Sequence, residues 1–153
     1  MNQLDTPLET GYLLRIGIDH FKEINDNFGQ EYGDFVLKKS AECISGCISE
    51  GQKVYKLVAD EFLILDVSSD EAKDADKLYD KVREAIDRFI ETNEFKVMYT
   101  VSGGIVPFAA LKGNQYAEAL KLTDFTLNEA KKLGRNRCYI FNGETYRKFL
   151  RKR

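Results

Sequence analysis

The chain has 153 residues, of which 43% are hydrophobic and 31% charged, and its formal net charge is −2. This length and balance are typical of a single globular domain with a core of its own. The near-neutral charge excludes a general electrostatic attraction to nucleic acid or to an anionic membrane, and no apolar run approaches the roughly 18 residues of a membrane-spanning helix. We therefore predict neither nucleic acid nor a membrane as a partner of this domain.

Apolar periodicity divides the chain into strands and helices. The predicted elements of the first half are, in chain order, a buried strand at Tyr12–Ile18, a short helix at Phe21–Phe28 closed by Gly29, an amphipathic helix from about Phe35 that ends near Gly51, and a hairpin of Val54–Leu57 and Phe62–Leu65. Those of the second half are a charged helix at Asp70–Glu91, a strand at Val97–Val106 ended by Pro107, a helix at Tyr116–Leu133 capped by Gly134, a strand at Cys138–Phe141 and a terminal helix at Thr145–Lys152. This order predicts an α+β fold in which helices cover one face of a mainly antiparallel sheet.

Cysteine usage favours a reducing compartment. Cys43 and Cys47 are four residues apart in a helical pattern, and Cys138 is distant from both in sequence. No nearby His or further Cys completes a metal set, so packing in the core is the better interpretation. The N-terminal segment is polar and has no signal-peptide core. We predict a cytoplasmic domain, which a longer protein could still anchor to a membrane.

The turn of the predicted hairpin, which we call the hairpin tip (residues 58–61), carries two adjacent carboxylates, Asp60 and Glu61. Carboxylates in a tight turn between buried strands are costly unless a divalent metal or a transferred proton uses them. The alternative is a solvated acidic turn. The hairpin tip by itself leaves both interpretations open.

Other strings along the chain accompany the hairpin tip: LLRIGIDHFKEINDNFG from Leu13, YTVSGGI from Tyr99 and AKKLGRNR from Ala130. In this order and at these separations they resemble the GGDEF domain family, the diguanylate cyclases and their inactive relatives. The resemblance runs from about Leu13 to Phe141. It implies a ferredoxin-related, palm-like nucleotide cyclase fold and a single domain over residues 1–153 with its core at about 12–141. Residues 142–153 would be a C-terminal helix or a linker toward a further domain, such as an EAL phosphodiesterase domain.

Diguanylate cyclases join two GTP molecules into cyclic di-GMP, each 3′-hydroxyl attacking the α-phosphate of the other nucleotide while divalent metal ions polarise the phosphates. The resemblance therefore implies GTP as the ligand, Mg²⁺ as the cofactor and a possible homodimer that pairs two sites. It places guanine recognition on Asn25 and Asp34. A carboxylate can accept from the N1 and N2 donors of guanine, and an amide can donate and accept. Without the resemblance, Asn25 would be read as a helix-end residue and Asp34 as the N-cap of the next helix.

Phosphate binding is placed by the same resemblance on residues from two segments. The amides of Phe21 and Lys22 open a helix and are free to meet an anion. The side chains of Lys131 and Arg135 are four residues apart around a turn that Gly134 allows. Their alternative interpretation is a basic helix end that complements the helix dipole.

The metal site implied by the resemblance is damaged. The position of the first metal aspartate, at the end of the first strand, is Gly17, which has no side-chain ligand. Asp19 lies about 6.6 Å farther along the strand, too far to replace a ligand at about 2.1 Å. Asp60 and Glu61 remain as the residual catalytic and metal-binding residues.

The hairpin tip is damaged as well, because the family's two glycines are Val58 and Ala59 here. A Cβ at a left-handed position costs about 1–2 kcal/mol, and it adds bulk where the nucleotide should sit. The arginine of the family's product-inhibition motif is also absent, since that segment begins at Ser49 and ends at Gln52.

These features lead to three hypotheses. The first is a degenerate GGDEF domain of cyclic di-GMP signalling that no longer cyclises GTP and acts as a guanine-nucleotide-binding regulatory or interaction module. The second is a weakly active diguanylate cyclase. The third is an interaction module with an empty pocket. The retained nucleotide-binding residues favour the first over the third, and Gly17, Val58 and Ala59 argue against the second.

Overall fold

The computed structural model describes residues 10–57, 59–68, 71–92, 98–113 and 115–152. These residues form a five-stranded sheet packed with α-helices. The strands are β1 (Tyr12–Ile18), β2 (Gln52–Lys56), β3 (Glu61–Asp66), β4 (Val101–Pro107) and β5 (Cys138–Ile140). The helices are α1 (Phe21–Phe28), α2 (Gln30–Cys47), α3 (Ala72–Thr92), α4 (Gln115–Lys132) and α5 (Gly143–Arg151), with a short 3₁₀ helix at Phe108–Ala110.

The strands are arranged in the order β2-β3-β1-β4-β5. β1 pairs antiparallel with β3 and β4, β2 pairs antiparallel with β3, and only the edge strand β5 runs parallel to its neighbour β4. The predicted α+β class with an antiparallel-rich sheet is confirmed. Because β1 and β3 are antiparallel and Gly17 lies opposite Glu61, the C-terminal end of β1 and the hairpin tip between β2 and β3 lie at the same end of the sheet.

Helices cover both faces of this sheet, so the prediction that they cover one face is wrong. Alternate residues of a strand point to opposite faces. Leu14 and Ile16 pack in the core with residues of α2 and α3, whereas Leu13 packs in a second cluster with Ala119 and Leu122 of α4. β1 therefore reads as a nearly continuous apolar run, as expected for a strand buried on both faces.

Helix α4 lies directly on β4 because Gly104 has no side chain. A Cβ at this position would lie 2.5 Å from the backbone nitrogen of Leu127 and 2.8 Å from the carbonyl carbon of Thr126. Neither backbone atom can move without moving the helix. This close approach brings the C-terminal end of α4 to the edge where β1 ends.

Two predicted boundaries are wrong in ways that affect the site. α2 begins at Gln30, directly after Gly29, whose φ of 92° separates it from α1. Asp34 therefore lies inside α2 and is not its N-cap. β4 begins at Val101, later than predicted, and the predicted start at Val97 lies outside the described residues.

The cysteines pack in the core, as predicted. Cys47 is buried, Cys43 and Cys138 pack against the same cluster, and all three are free thiols. Burial raises the pKa of each thiol above its usual range. Within the described ranges, we find no helix long and apolar enough to cross a membrane.

Candidate functional site

The hairpin tip docks on the end of β1. The backbone N–H of Ile18 donates to the carbonyl of Asp60 at 3.2 Å. Ala59 adopts a φ of 62°, in the left-handed region that disfavours a Cβ. The predicted backbone cost at this position is therefore real for Ala59, whereas Val58 lies outside the described residues.

The N-terminus of α1 opens beside the hairpin tip. α1 begins at Phe21, as predicted, after His20 in a left-handed conformation with a φ of 56°. The His20 side chain makes no capping hydrogen bond to the helix. The first amides of α1, including those of Phe21 and Lys22, therefore have no side-chain acceptor at the cap, and such amides are suited to an anion.

The basic end of α4 forms the opposite side of the site. Lys131 lies in the last turn of α4, and Gly134 and Arg135 both have positive φ values of 125° and 63°. The backbone N–H of Arg135 returns to the carbonyl of Ala130 at 3.1 Å. The sharp turn that the sequence predicts at Gly134 therefore keeps Lys131 and Arg135 on the same side.

Asp19 anchors this turn to the sheet, a role that the sequence did not reveal. Its buried carboxylate accepts hydrogen bonds from the hydroxyls of Thr100 at 2.6 Å and Ser102 at 2.7 Å. It also accepts from the backbone N–H of Asn136 at 3.1 Å. Asp19 is thus committed to the loop after α4 and does not serve as a substitute ligand for the missing aspartate at Gly17.

These segments border one cavity of about 530 Å³. Most of the predicted site residues line it, namely Phe21, Lys22, Asn25, Asp60, Lys131 and Arg135, together with Ala59. Asp34 and Glu61 are not among its described lining residues. A larger cleft of about 610 Å³ lies between α4 and α5 and shares only Lys131 and Arg135 with this set. The smaller cavity is therefore the candidate nucleotide pocket.

The predicted guanine residues lie next to each other across α1 and α2. The side-chain oxygen of Asn25 is buried and, within the described part of the chain, has no hydrogen-bond partner. It faces Gly33, where an added Cβ would lie 1.6 Å from that oxygen. Asp34 is the next residue of α2 and is exposed. The side-chain oxygen of Asn25 is therefore turned toward α2, and Asp34 is the exposed residue of the pair.

Glu61 is engaged by two cations. The Nε and Nη2 groups of Arg15 donate to its Oε1 at 2.7 and 2.6 Å, and Nζ of Lys131 lies 3.9 Å from its Oε2. The Arg15 and Glu61 side chains are only 11% and 17% exposed. Arg15 is a second residue whose role the sequence reading missed. A charged residue inside the apolar string LLRIGI was the signal that could have revealed it.

Asp60 and Glu23 are the acids among the described lining residues of the cavity, and Asp60 is the one at the hairpin tip. Burial raises the pKa of Asp60 above its usual range, and the neighbouring charge of Glu61 raises it further, while Lys131 and Lys56 act in the opposite direction. The negative charge is thus less stable here than in water. A cation close to Asp60 would stabilise this negative charge, and a substitution that removes the charge would remove its cost.

The residues present do not fit a family-type Mg²⁺ site. Magnesium needs oxygen ligands in a near-octahedral arrangement. Gly17 pairs with Glu61 across β1 and β3, and its added Cβ would lie 3.5 Å from Cγ of Glu61. An aspartate at position 17 would reach a metal ion shared with Glu61, whereas Gly17 has no side-chain ligand. Among the described residues, no group of three or more His, Cys, Asp or Glu side chains could hold a metal ion.

The fold and the pocket together define an α+β domain with basic side chains around a cavity at the end of β1, and comparison with known proteins identifies the family. The family model for the diguanylate cyclase GGDEF domain matches residues 2–137. The chain belongs to the GGDEF domain family, the family of cyclic di-GMP signalling. The resemblance of the motifs is therefore confirmed.

Individual relatives agree with this assignment. The chain is 32% identical over 128 residues to the probable diguanylate cyclase DgcC of Escherichia coli K12, covering 84% of this chain and 34% of that protein. It thus spans about a third of that relative. Among solved structures, the GGDEF domain of TpbB (YfiN) from Pseudomonas aeruginosa has a TM-score of 0.79 at 26% identity, covering 92% of this chain and 81% of that one. An EAL/GGDEF domain protein from M. capsulatus has a TM-score of 0.74 at 27% identity, with 91% of each chain covered.

Proposed function

We propose that this chain is a degenerate GGDEF domain that binds a guanine nucleotide and does not cyclise it, so that it serves as a regulatory or interaction module in cyclic di-GMP signalling. One observation supports this most directly. The cavity gathers Lys22, Lys131 and Arg135, while the neighbouring position of the metal carboxylate is Gly17. The parts that would hold phosphates are retained, and the part that would activate them is lost.

The charges of the cavity support phosphate binding. Three of its lining side chains are cationic, and the amides at the start of α1 add partial positive charge. Glu61, which would otherwise add a negative charge beside Lys131, is neutralised by Arg15. The described lining also includes two acids, Glu23 and Asp60, so its cationic side chains outnumber its anionic ones by three to two. A triphosphate would therefore meet a small excess of positive charge.

The base contacts would supply selectivity. A carboxylate at Asp34 accepts from the N1 and N2 donors of guanine, and adenine has no donor at N1. Asn25 lines the cavity, and its side-chain amide would supply a further hydrogen bond to the base. A pocket built to hydrogen-bond one base rejects a base that leaves those groups unpaired, so GTP should bind at least about tenfold more tightly than ATP.

Catalysis is expected to be lost for two reasons. With Gly17 in place of a metal ligand, the pocket lacks one of the carboxylates that would hold the phosphate-polarising metal ions. Ala59 lines the cavity in a left-handed conformation, so its Cβ occupies space at the pocket wall. Losing a metal ligand commonly lowers the rate by about a thousandfold or more.

A further domain such as an EAL domain would carry the output, and a homodimer is part of this proposal.

The binding test is calorimetric titration of the purified chain with GTP and with ATP. Asp34→Ala should weaken GTP and abolish the preference over ATP. Asp87→Ala, which removes an exposed aspartate from α3, is the matched control and should change neither affinity. Equal affinities for both nucleotides, or no binding of either, would contradict a guanine pocket and favour an interaction module.

The activity test is product detection after incubation with GTP and Mg²⁺ or Mn²⁺ at high protein concentration, where two sites can pair. No cyclic di-GMP is expected. Sustained turnover would show that the domain is a weakly active cyclase and would overturn the proposal.

A further inference from the structure

Arg15 is held in a defined orientation on the face of β1 that packs against α4. Its Nη1 group donates to the carbonyl of Leu120 at 3.0 Å and to the hydroxyl of Thr123 at 3.3 Å, both on α4. Its Nε and Nη2 groups donate to Glu61 on β3. A planar guanidinium fixed by two elements is a permanent positive charge at a set position, because it cannot be deprotonated in a protein.

Compared with a site that has an aspartate at position 17, Arg15 and Gly17 both make the surroundings of Glu61 more positive. They are alternate residues of β1, so both face α4. An added Cβ at Gly17 would lie 3.3 Å from Leu127, 3.5 Å from Glu61 and 3.9 Å from Lys131. An aspartate there would stand against Glu61 and would need a cation between the two carboxylates. The chain has no carboxylate at Gly17 and has a cation at Arg15.

We propose that the guanidinium of Arg15 takes the place of a divalent cation on Glu61, so that this pocket binds the phosphates of a nucleotide without metal. Both oxygens of Glu61 already face cations, Oε1 at Arg15 and Oε2 at Lys131. A metal ion at Glu61 would have to displace the guanidinium or lie beside a like charge. The inference rests on the proposed nucleotide binding and adds that this binding is independent of metal.

Removing the charge of Asp60 should have opposite effects on nucleotide affinity in a metal-free and in a metal-loaded pocket. Asp60 lines the cavity with Lys131 and Arg135. With a metal ion present, its carboxylate would be a ligand, and removing the charge would weaken nucleotide binding. Without a metal, the same carboxylate repels the phosphates, and removing its charge strengthens binding. Asp60→Asn therefore distinguishes the two cases.

The first experiment titrates the chain with GTP in excess EDTA and again in excess Mg²⁺. The two dissociation constants should agree within about threefold, and Asp60→Asn should bind GTP about three- to tenfold more tightly in EDTA. An increase of tenfold or more in wild-type affinity on adding Mg²⁺, or weaker binding by Asp60→Asn in EDTA, would overturn the proposal.

The second experiment uses the metal alone, so it decides on Arg15 even if GTP does not bind and the proposed function fails. Mn²⁺ is titrated and the free ion is followed by electron paramagnetic resonance. Wild type, the charge-removing control Lys132→Met and the single variant Gly17→Asp, which keeps Arg15, should all leave Mn²⁺ free. The double variant Arg15→Met/Gly17→Asp should bind it, because two carboxylates then face each other with no guanidinium between them.

Binding of Mn²⁺ by wild type or by Gly17→Asp, as tightly as by the folded double variant, would show that Arg15 does not occupy the cation's place. A folded double variant that leaves Mn²⁺ free would also overturn the proposal. Folding is checked by circular dichroism. If the double variant does not fold, Arg15→Gln/Gly17→Asp replaces it: this variant keeps hydrogen-bond donors toward α4 and has no guanidinium, so it should bind Mn²⁺.

Discussion

The ion pair between Arg15 and Glu61 gives a quantitative test of the site. Replacing Arg15 with Met keeps an apolar stem of similar length and removes the guanidinium. Glu61, 17% exposed, would then be a mostly buried carboxylate whose remaining cation is Lys131 at 3.9 Å. Removing one partner of a fully buried pair costs about 3–5 kcal/mol. Because Lys131 remains and some exposure persists, we expect a loss of about 2–4 kcal/mol in unfolding free energy.

Urea unfolding followed by circular dichroism at neutral pH measures this loss. The transition midpoint should fall while the slope stays constant, because the surface exposed on unfolding does not change. The control is Lys148→Met, which breaks the pair with Glu144 on α5. That pair is 3.9 Å long and its side chains are 63% and 71% exposed. An exposed pair contributes little, so this control should lose less than about 0.5 kcal/mol.

A double-mutant cycle isolates the interaction itself. Arg15→Met combined with Glu61→Met removes both buried charges, and an apolar pair of similar volume is often as stable as the ion pair it replaces. The double variant should therefore lose less than the sum of the two single variants. Two results would contradict this reasoning. One is that Arg15→Met lowers the unfolding free energy no more than Lys148→Met does. The other is that the loss of the double variant equals the sum of the losses of Arg15→Met and Glu61→Met.

The remaining predictions concern packing and pH. Gly104→Ala should lower the unfolding free energy by about 1–3 kcal/mol, because α4 must shift to make room for the added Cβ. Gly46→Ala, with no atom within 4 Å of its added Cβ, should raise it by about 0.5–1 kcal/mol. Equal shifts of the two urea midpoints would contradict this. Burial raises the pKa of Tyr99 from 10.0 to about 12. The folded state then keeps a proton that the unfolded state loses, so the contribution of Tyr99 to stability is fully present below about pH 10 and falls by about 2–3 kcal/mol by pH 12. Urea unfolding across this range should show Tyr99→Phe losing about 2–3 kcal/mol less than the wild type, although it starts less stable because the 2.7 Å hydrogen bond to Ser40 is lost; an alkaline slope equal to that of the wild type would refute the assignment.

Local features of the site could be predicted because they depend on residues close in sequence. The start of α1 at Phe21 follows from an apolar strand that gives way to a helical pattern. The turn at Gly134 follows from the glycine at the end of a basic helix. The left-handed conformation of Ala59 follows from its place in a tight turn, and the structure has it at a φ of 62°.

Other features could not be predicted because they depend on partners distant in sequence. Arg15 and Glu61 are 46 residues apart, and Asp19 and Asn136 are 117 residues apart. Periodicity shows that a residue is on one face of a strand, but it does not show what lies opposite. The predicted start of α2, at about Phe35, is too late for a different reason: the first turn of the helix, from Gln30, carries little apolar signal.

The sequence by itself determined the family, the order of the elements and the loss of a ligand at Gly17, because motifs and spacings are properties of the chain alone. The tertiary structure decided what became of Glu61. The register of β1 against β3 sets Gly17 opposite Glu61, and a shift of one residue would turn Arg15 to the other face of the sheet. Helix α4 then closes over Arg15 and supplies the carbonyl and hydroxyl that hold it. A charge that looks like an exception within an apolar strand is satisfied only when three elements meet around it, since a buried cation is stable only when its partners are all in place.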